Sequence, residues 1–303
     1  MDWRVKCLGF KLIETLPFGR PLYRLLQKRV TGRYLPKVSE ASLKSYGLHV
    51  DQFKALKNPR VAMEFGAGRG LITALMLGQA GAHRVYAFDL ERLASPEQVN
   101  AVISQLGRRI PGGMPPIDDL DQLSETYGIE YRAPGDARAT GLPEGSVDYI
   151  YSSATLEHIP EPEIRQILRE AKRVLSPDGR LCFTIDYHDH YASADPGIGY
   201  FNFYRFGARE WRRYNPNMHY QNRMRHSDFI RLFEEEGLAI LEQRPIFDTW
   251  TDRDYERVPL HPEFAHYSVE DLKTSNGFFL LAPRRGEAED GRVAGEPVAE
   301  PSA

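Results

Sequence analysis

Residues 60–90 read as strand, glycine turn, helix and second strand, and no other stretch restricts the fold as much. "RVAMEF" is a short apolar run, "GAGRG" a tight loop, "LITALMLGQAGA" a helical segment, and "RVYAFDL" a return to strand. A βαβ unit of this kind pairs its strands in parallel through a crossover helix, so it predicts an α/β protein. Further strand candidates are "GIEYRAPGD" (128–136), "SVDYIYSS" (146–153), "RLCFTID" (180–186), "LAILEQRPIF" (238–247) and "GFFLLAPR" (277–284). Between the fourth and fifth, "PEIRQILREAKRVL" carries Ile164, Ile167, Leu168, Ala171, Val174 and Leu175 at three- and four-residue steps, which predicts a helix with one buried face.

Around this centre the chain divides into regions. Residues 1–58 have helical patterning broken by Pro17, Pro21 and Pro36, and read as a helical extension. Residues 59–284 hold the sheet, with a long connection at 91–128 containing "IPGGMPP". "SPDG" turns the chain before the fifth strand, and Ser227 is the expected N-cap of "DFIRLFEEE", with Gly237 at its end. Residues 285–303 have almost no bulky apolar side chain and predict a disordered tail. The formal net charge of −3 supplies no basic field for nucleic acid or anionic membrane. The two cysteines, Cys7 and Cys182, suggest neither a disulfide framework nor a zinc cage. No run reaches the ~20 apolar residues of a membrane span, and the N-terminus lacks the apolar block of a secretion signal, so the expected location is cytoplasmic.

The loop after the first strand decides between ligands. Dinucleotide loops space their glycines G-x-G-x-x-G, the third packing the helix on the strand. Here the glycines are Gly66, Gly68 and Gly70, and the third dinucleotide position holds Leu71. Glu64 stands two residues before the first glycine, where an acid favours a cationic group and repels a pyrophosphate. Asp89, ending the second strand, can accept hydrogen bonds from both hydroxyls of a ribose. Asp136, after the third strand, can accept from an adenine amino group while the N–H of Ala137 meets a ring nitrogen. An NAD-linked oxidoreductase is therefore disfavoured.

Together these features resemble the class I methyltransferases that use S-adenosylmethionine. The resemblance covers about residues 61–186 and is most specific over "LPEGSVDYIYSSATLEHIPEPEIRQILREAKRVLSPDGRLCFTID", which is similar to the ubiquinone/menaquinone C-methyltransferase subgroup. It implies a Rossmann-like doubly wound sheet of about seven strands, mostly parallel with one antiparallel strand, helices on both faces, and a lid after the fifth strand at about 187–226. It implies that Glu64 orders the loop round the methionine moiety and that Gly66, Ala67, Gly68 and Gly70 admit the cofactor. By the same resemblance Asp89 holds the ribose, Asp136 and Ala137 the adenine, and Ser152 offers a main-chain contact to the methionine end.

The methyl acceptor must be sought after the fourth and fifth strands. In "DYHDHY", His188 and His190 are the candidate catalytic residues: a histidine there could take a proton from a hydroxyl or amine. The same residues with Asp186 could ligate a metal, or could hold the lid together; no metal is assigned. His188 is preferred because it lies nearer the strand end. Glu157 and His158 in "LEHI" read as structure on the cofactor side. Between Tyr200 and Arg225, six arginines face one acid, Glu210, among many aromatics. Tyr204, Arg205, Trp211, Arg223 and Arg225 are the candidate substrate-binding residues, gripping an anionic acceptor. Against this stand arginine stems packed on aromatics, and an RNA substrate. The expected activity is methyl transfer to a small-molecule acceptor at oxygen: an anionic metabolite, a glycan or a natural-product intermediate. A non-catalytic cofactor-binding scaffold or sensor, or an RNA methyltransferase, is the alternative, and the helical extension could form a homodimer contact.

Overall fold

Strands β1 (Val61–Phe65) and β2 (Arg84–Phe88) run in parallel, Val61 opposite Arg84 through Phe65 opposite Phe88. The computed structural model describes residues 1–26, 28–29 and 34–284. In it these strands join β3 (Ile129–Arg132), β4 (Val147–Ser153), β5 (Leu175–Asp186), β6 (Leu238–Ile246) and β7 (Asn276–Pro283) in one sheet of order β3-β2-β1-β4-β5-β7-β6. The pairings from β3 to β5 are parallel. Strand β7 is antiparallel to both its neighbours. The chain runs outward from β1 to β3 and then returns to the other side of β1 as β4. That reversal opens a crevice at the carboxyl ends of β1 and β4, where ligands of open α/β sheets bind.

The helices are α1 (Trp3–Thr15), α2 (Gly19–Leu26), α3 (Glu40–Lys54), α4 (Ile72–Gln79), α5 (Pro96–Gly107), α6 (Gln122–Tyr127), α7 (Glu161–Val174), α8 (Ala208–Trp211), α9 (His226–Glu235), α10 (Thr251–Glu256) and α11 (Val269–Lys273). Strand alternation sends successive side chains to opposite faces. Ala62, Tyr149, Tyr151, Cys182 and Phe278 pack with Phe53 of α3, Leu75 of α4, Val102 of α5 and Leu123 of α6. Their neighbours Met63, Ile150, Phe183 and Phe279 pack on the other face with Leu168 of α7 and Phe229 and Phe233 of α9. Each of these large side chains contributes roughly 1.5–3 kcal/mol on full burial, so both sheet faces are heavily stabilised. The apolar face foreseen on α7 is the buried one.

A third cluster has no counterpart in the sequence reading. Trp3 and Cys7 of α1 join Tyr191, Phe201, Phe203, Tyr204, Phe206 and Trp211 of the lid segment and Phe264 and Leu272 of the β6–β7 connection. Trp3 meets Tyr214 edge-on, with centroids 4.8 Å apart. Extension, lid and a connection far along the chain thus share one aromatic core, while Val5, Leu8 and Leu12 on the other side of α1 are exposed.

Two local expectations need correction. The "SPDG" segment lies inside β5, as an irregularity between the pairs Val147–Leu175 and Tyr149–Arg180. Ser227 does not cap α9. The helix starts two residues earlier, at His226, Asp228 accepts from the N–H of Arg225 (2.9 Å), and the Ser227 hydroxyl donates to Asp271 (2.5 Å). The carboxylate of Asp228 reaches the helix end that the serine would have served, and Asp271 draws the serine away. The predicted disordered tail lies outside the described residues.

Candidate active site

The glycine loop is shaped by what crosses it. Gly66 has φ of +73°, and a Cβ there would stand 2.3 Å from Thr155 Oγ1, so only glycine fits. Gly68 also has positive φ, but a Cβ there would meet nothing within 4 Å: its face is open. The Ala67 N–H donates to the Phe88 carbonyl (3.1 Å) and the Gly68 N–H to Asp89 Oδ2 (3.0 Å), which tie the loop to the end of β2. At Gly70 a Cβ would press on Val102 at 2.9 Å and on Pro36 at 3.1 Å. Leu71, in the third dinucleotide position, takes φ of +50° and is fully buried. Its side chain fills the core where a dinucleotide loop would need bare backbone.

Three carboxylates surround this loop in adjoining cavities. Glu64, Gly66, Gly68, Gly70, Ser153, Ala154 and Thr155 line one, closed by Tyr34, Pro36 and Tyr46 of the N-terminal extension. Asp89, Asp136 and Ala137 line the next with Phe65, Phe88, Ile159 and Ile167. The two share Gly66 and Thr155. A third, toward the lid, is walled by Asp89, Arg69, His158, Met218 and Tyr220, and shares Asp89 and His158 with the second.

Electrostatics separate the carboxylates. Glu64 is buried and accepts a hydrogen bond from Tyr151 Oη (3.1 Å). Burial, aided by the charge of Asp89 and opposed by the tyrosine bond, pushes its pKa up to about 8. It is an acid waiting for a cation. Asp136 is half-exposed and paired with Arg138, whose guanidinium donates to both its oxygens (2.7–3.0 Å) and holds its pKa below the usual range. A partly exposed pair of this kind is worth about 0–1 kcal/mol, so a ligand amine can compete for the same oxygens. Ser152 is not on these walls: it is buried and its hydroxyl donates to the Phe65 carbonyl (2.8 Å), pinning β4 to β1, while Ser153 and Ala154 line the cavity.

His188 and His190 both lean on Asp186. His188 Nδ1 is 2.8 Å from Oδ1 and His190 Nε2 is 3.3 Å from Oδ2. Burial alone would raise the Asp186 pKa, but the two imidazole contacts outweigh it and hold the group well below the carboxylate range. The preference for His188 needs revision. Its ring is turned to Tyr200, Trp250 and Asp248, whereas His190 packs on His158, centroids 4.8 Å apart, and His158 lines the crevice. Tyr151, Thr155 and Arg138 are thus wall or support residues to which sequence reasoning gave no such place, while His158, read there as cofactor-side structure, lines the crevice. For His158 the signal was present in "LEHI", next to the fourth strand.

The arginine grip is overturned at its two central residues. Arg225 is fully buried and donates to the carbonyls of Tyr187 (3.2 Å) and Thr274 (2.5 Å), with its guanidinium over the rings of Tyr187 and Tyr204. Arg223 donates to the Phe206 carbonyl (2.6 Å) and lies over Trp211 and Phe264; burial lowers its pKa to about 10. Tyr204 is buried and donates to the Leu272 carbonyl (2.8 Å), Trp211 is buried in the same cluster, and Arg205 is exposed on the outside. Tyr204, Arg223 and Arg225 thus spend donors on main-chain carbonyls and aromatic faces, Trp211 Nε1 and Arg225 Nε are buried without a partner, and Arg205 faces outward.

Fold and crevice define a class, and comparison with known proteins agrees. Residues 63–183 match the family model described as a methyltransferase domain. No curated protein sequence matches the chain. Among solved structures, phosphoethanolamine N-methyltransferase 2 of Haemonchus contortus, in complex with phosphomonomethylethanolamine and S-adenosylhomocysteine, is 13% identical, with TM-score 0.52 over 89% of this chain and 58% of that one. The [4+2]-cyclase SpnF is 15% identical, with TM-score 0.51 over 88% and 96%. At such identities the likeness speaks for the fold alone, and one fold serves both a methyltransferase and a cyclase. The family match, set on β1 to β5 around the crevice, carries the chemistry. On that match the chain is an S-adenosylmethionine-dependent methyltransferase, and S-adenosylmethionine is its cofactor. Among the described residues no helix is long and apolar enough to cross a membrane.

Proposed function

We propose that the enzyme moves a methyl group to an oxygen of a small-molecule acceptor that enters between His158 and the lid. The observation that carries this reading is the shared wall. Gly66 and Thr155 join the Glu64 cavity to the Asp89–Asp136 cavity, and Asp89 and His158 join the latter to the lid-side opening. A ligand with an amine at one end, a ribose in the middle and an adenine at the other suits that series of acids. Glu64 would meet the amine, Asp89 the ribose hydroxyls, and Asp136 with the Ala137 N–H the adenine; Gly68 leaves room for the chain between. The bound cofactor supplies a methyl group already activated on a sulfonium. The protein's own task is to align an acceptor behind that methyl, exclude water and dispose of the acceptor's proton.

For that last task the reading favours His190 over His188, because its neighbour His158 faces the crevice. Arg69 on the lid-side wall is the cation offered to an anionic acceptor. Kinship with the ubiquinone/menaquinone C-methyltransferases and a cytoplasmic location are part of the proposal, supported by the sequence run through "LEHI" and by the features noted above.

Titration calorimetry with S-adenosylhomocysteine tests the cofactor geometry. Asp89→Ala should weaken binding by about 1–3 kcal/mol, the usual loss for a hydrogen bond to a charged group; an unchanged affinity refutes the ribose assignment. A panel of hydroxylated small molecules, scored by release of S-adenosylhomocysteine, tests the acceptor class. Release with RNA and none with the small molecules would overturn it.

A further inference from the structure

Glu157 is the least explained side chain in the protein. It is 3% exposed, and neither carboxylate oxygen has a hydrogen-bond partner. A buried carboxylate without partners is costly unless a proton or a cation neutralises it. Two imidazoles stand beside it: ligand atoms of Glu157, His158 and His190 all lie within 4.8 Å of one another.

The imidazoles are prepared in a particular way. His158 Nδ1 is 2.7 Å from the Tyr220 carbonyl, which can only accept. Nδ1 therefore carries the proton and Nε2 keeps its lone pair, the tautomer of a metal-ligating histidine with its outer partner in place. His190 Nε2 is buried without a hydrogen bond, and Asp186 Oδ2, 3.3 Å away, puts a second carboxylate at the edge of the group. The main chain is braced as well. Asn222 donates to the carbonyls of Leu156 (2.8 Å) and Ile159 (2.9 Å), and the His190 N–H donates to Gln221 Oε1 (3.1 Å). One short lid segment, Tyr220–Asn222, thus holds all three residues from outside.

We propose that Glu157, His158 and His190 form a binding site for a divalent transition-metal ion of the zinc type, set in the wall between the cofactor crevice and the lid. Two imidazoles and one carboxylate are an N/O set suited to such ions, with coordination positions left open. Round a tetrahedral ion with bonds of about 2.1 Å the ligand atoms sit about 3.4 Å apart, so small side-chain rotations close the observed spacing. His158 lines the two cavities that contain Asp89, so the open positions face the acceptor's route. The arginines expected to hold an anionic acceptor are committed elsewhere, and a cation here replaces their charge. A hydroxyl coordinated there would lose its proton more readily, to water in the lid-side opening, so His190 would serve the acceptor as a ligand rather than as a free base. This role rests on the methyl-transfer reading; the ion site does not.

The test uses tag-free full-length protein, stripped with chelator and dialysed against zinc, then against cobalt as a spectroscopic probe. One ion per chain is expected. Glu157→Gln and His190→Ala should each cost at least the roughly 10–100-fold that loss of an outer-shell partner costs. His266→Ala, outside the cluster, should bind as the parent does. Thermal melts certify folding, and cobalt visible spectra report the ligand change in any variant that retains the ion. S-adenosylhomocysteine affinity is measured on the same samples. Its absence in the parent protein defeats the functional reading and leaves the ion site standing. No stoichiometric ion in folded protein, or binding unchanged in both variants, overturns the site. Loss of turnover in His190→Ala with its ion retained at parental affinity would show a base and refute the ligand role.

Discussion

Glu64→Gln is the perturbation on which the cofactor reading turns. In the free protein the Glu64 pKa is displaced from 4.5 to about 8, mainly by burial. A displacement of that size corresponds to roughly 4–5 kcal/mol. Because the folded value is the higher one, the stabilising contribution of the protonated acid is complete below pH 4.5. It is lost progressively as pH rises to 8, where the penalty levels off. Glutamine mimics the protonated acid in shape and never ionises. The ligand-free variant should therefore match the parent near pH 4.5 and exceed it in stability, by up to a few kcal/mol, at pH 9.

Binding should show the opposite sign. At pH 7 about nine in ten Glu64 side chains carry a proton, and an ammonium beside the carboxylate expels it. Calorimetry of S-adenosylhomocysteine in buffers of different ionisation enthalpy should register release of about 0.9 proton at that pH. Affinity should rise about tenfold per unit between roughly pH 6 and 8 and then flatten. In Glu64→Gln both effects should vanish and binding should be weaker throughout. Proton release of zero in the parent, with affinity flat over that range, refutes the placement of the amine at Glu64.

Three more expectations follow from single contacts. Gly66→Ala puts a methyl 2.3 Å from Thr155 Oγ1 at a positive φ, so it should lower S-adenosylhomocysteine affinity at least about tenfold, with partial recovery in the Gly66→Ala/Thr155→Ala pair. Arg225→Ala strips donors from buried carbonyls and should destabilise by about 3 kcal/mol or more in urea unfolding, while its folded form binds S-adenosylhomocysteine normally; a specific loss of acceptor affinity at full stability would restore the substrate role. His49 is buried between Tyr149 Oη (3.2 Å) and Ser153 Oγ (2.8 Å), and burial depresses its pKa to about 4. Its contribution is whole above pH 6.5 and fades as pH falls through 4, worth roughly 3 kcal/mol; His49→Gln should remove that share of the acid sensitivity measured by unfolding at pH 4 and 7.

What could be read from the residues alone were features whose physics is local. The apolar runs at β1 to β7, the helical period of α7 and the glycine spacing each report on a few neighbouring residues, and the backbone's own geometry turns them into elements and a sheet edge. The acids at 64, 89 and 136 could be read because each lies near or just past the carboxyl end of a strand, and parallel strands deliver such positions to one edge. The arginine segment defeated the same method. Arg223 and Arg225 are fixed by carbonyls and rings up to about fifty residues away, from Tyr187 to Thr274, and charge in a sequence does not say whether water, a ligand or a main-chain oxygen will receive it. Only the tertiary structure decided that α1 shares an aromatic core with the lid, that the Ser152 hydroxyl pins β4 to β1, and that Glu157, with no hydrogen-bond partner, meets His158 and His190. Each depends on which surfaces are buried together, a property of the assembled chain that no stretch of it contains.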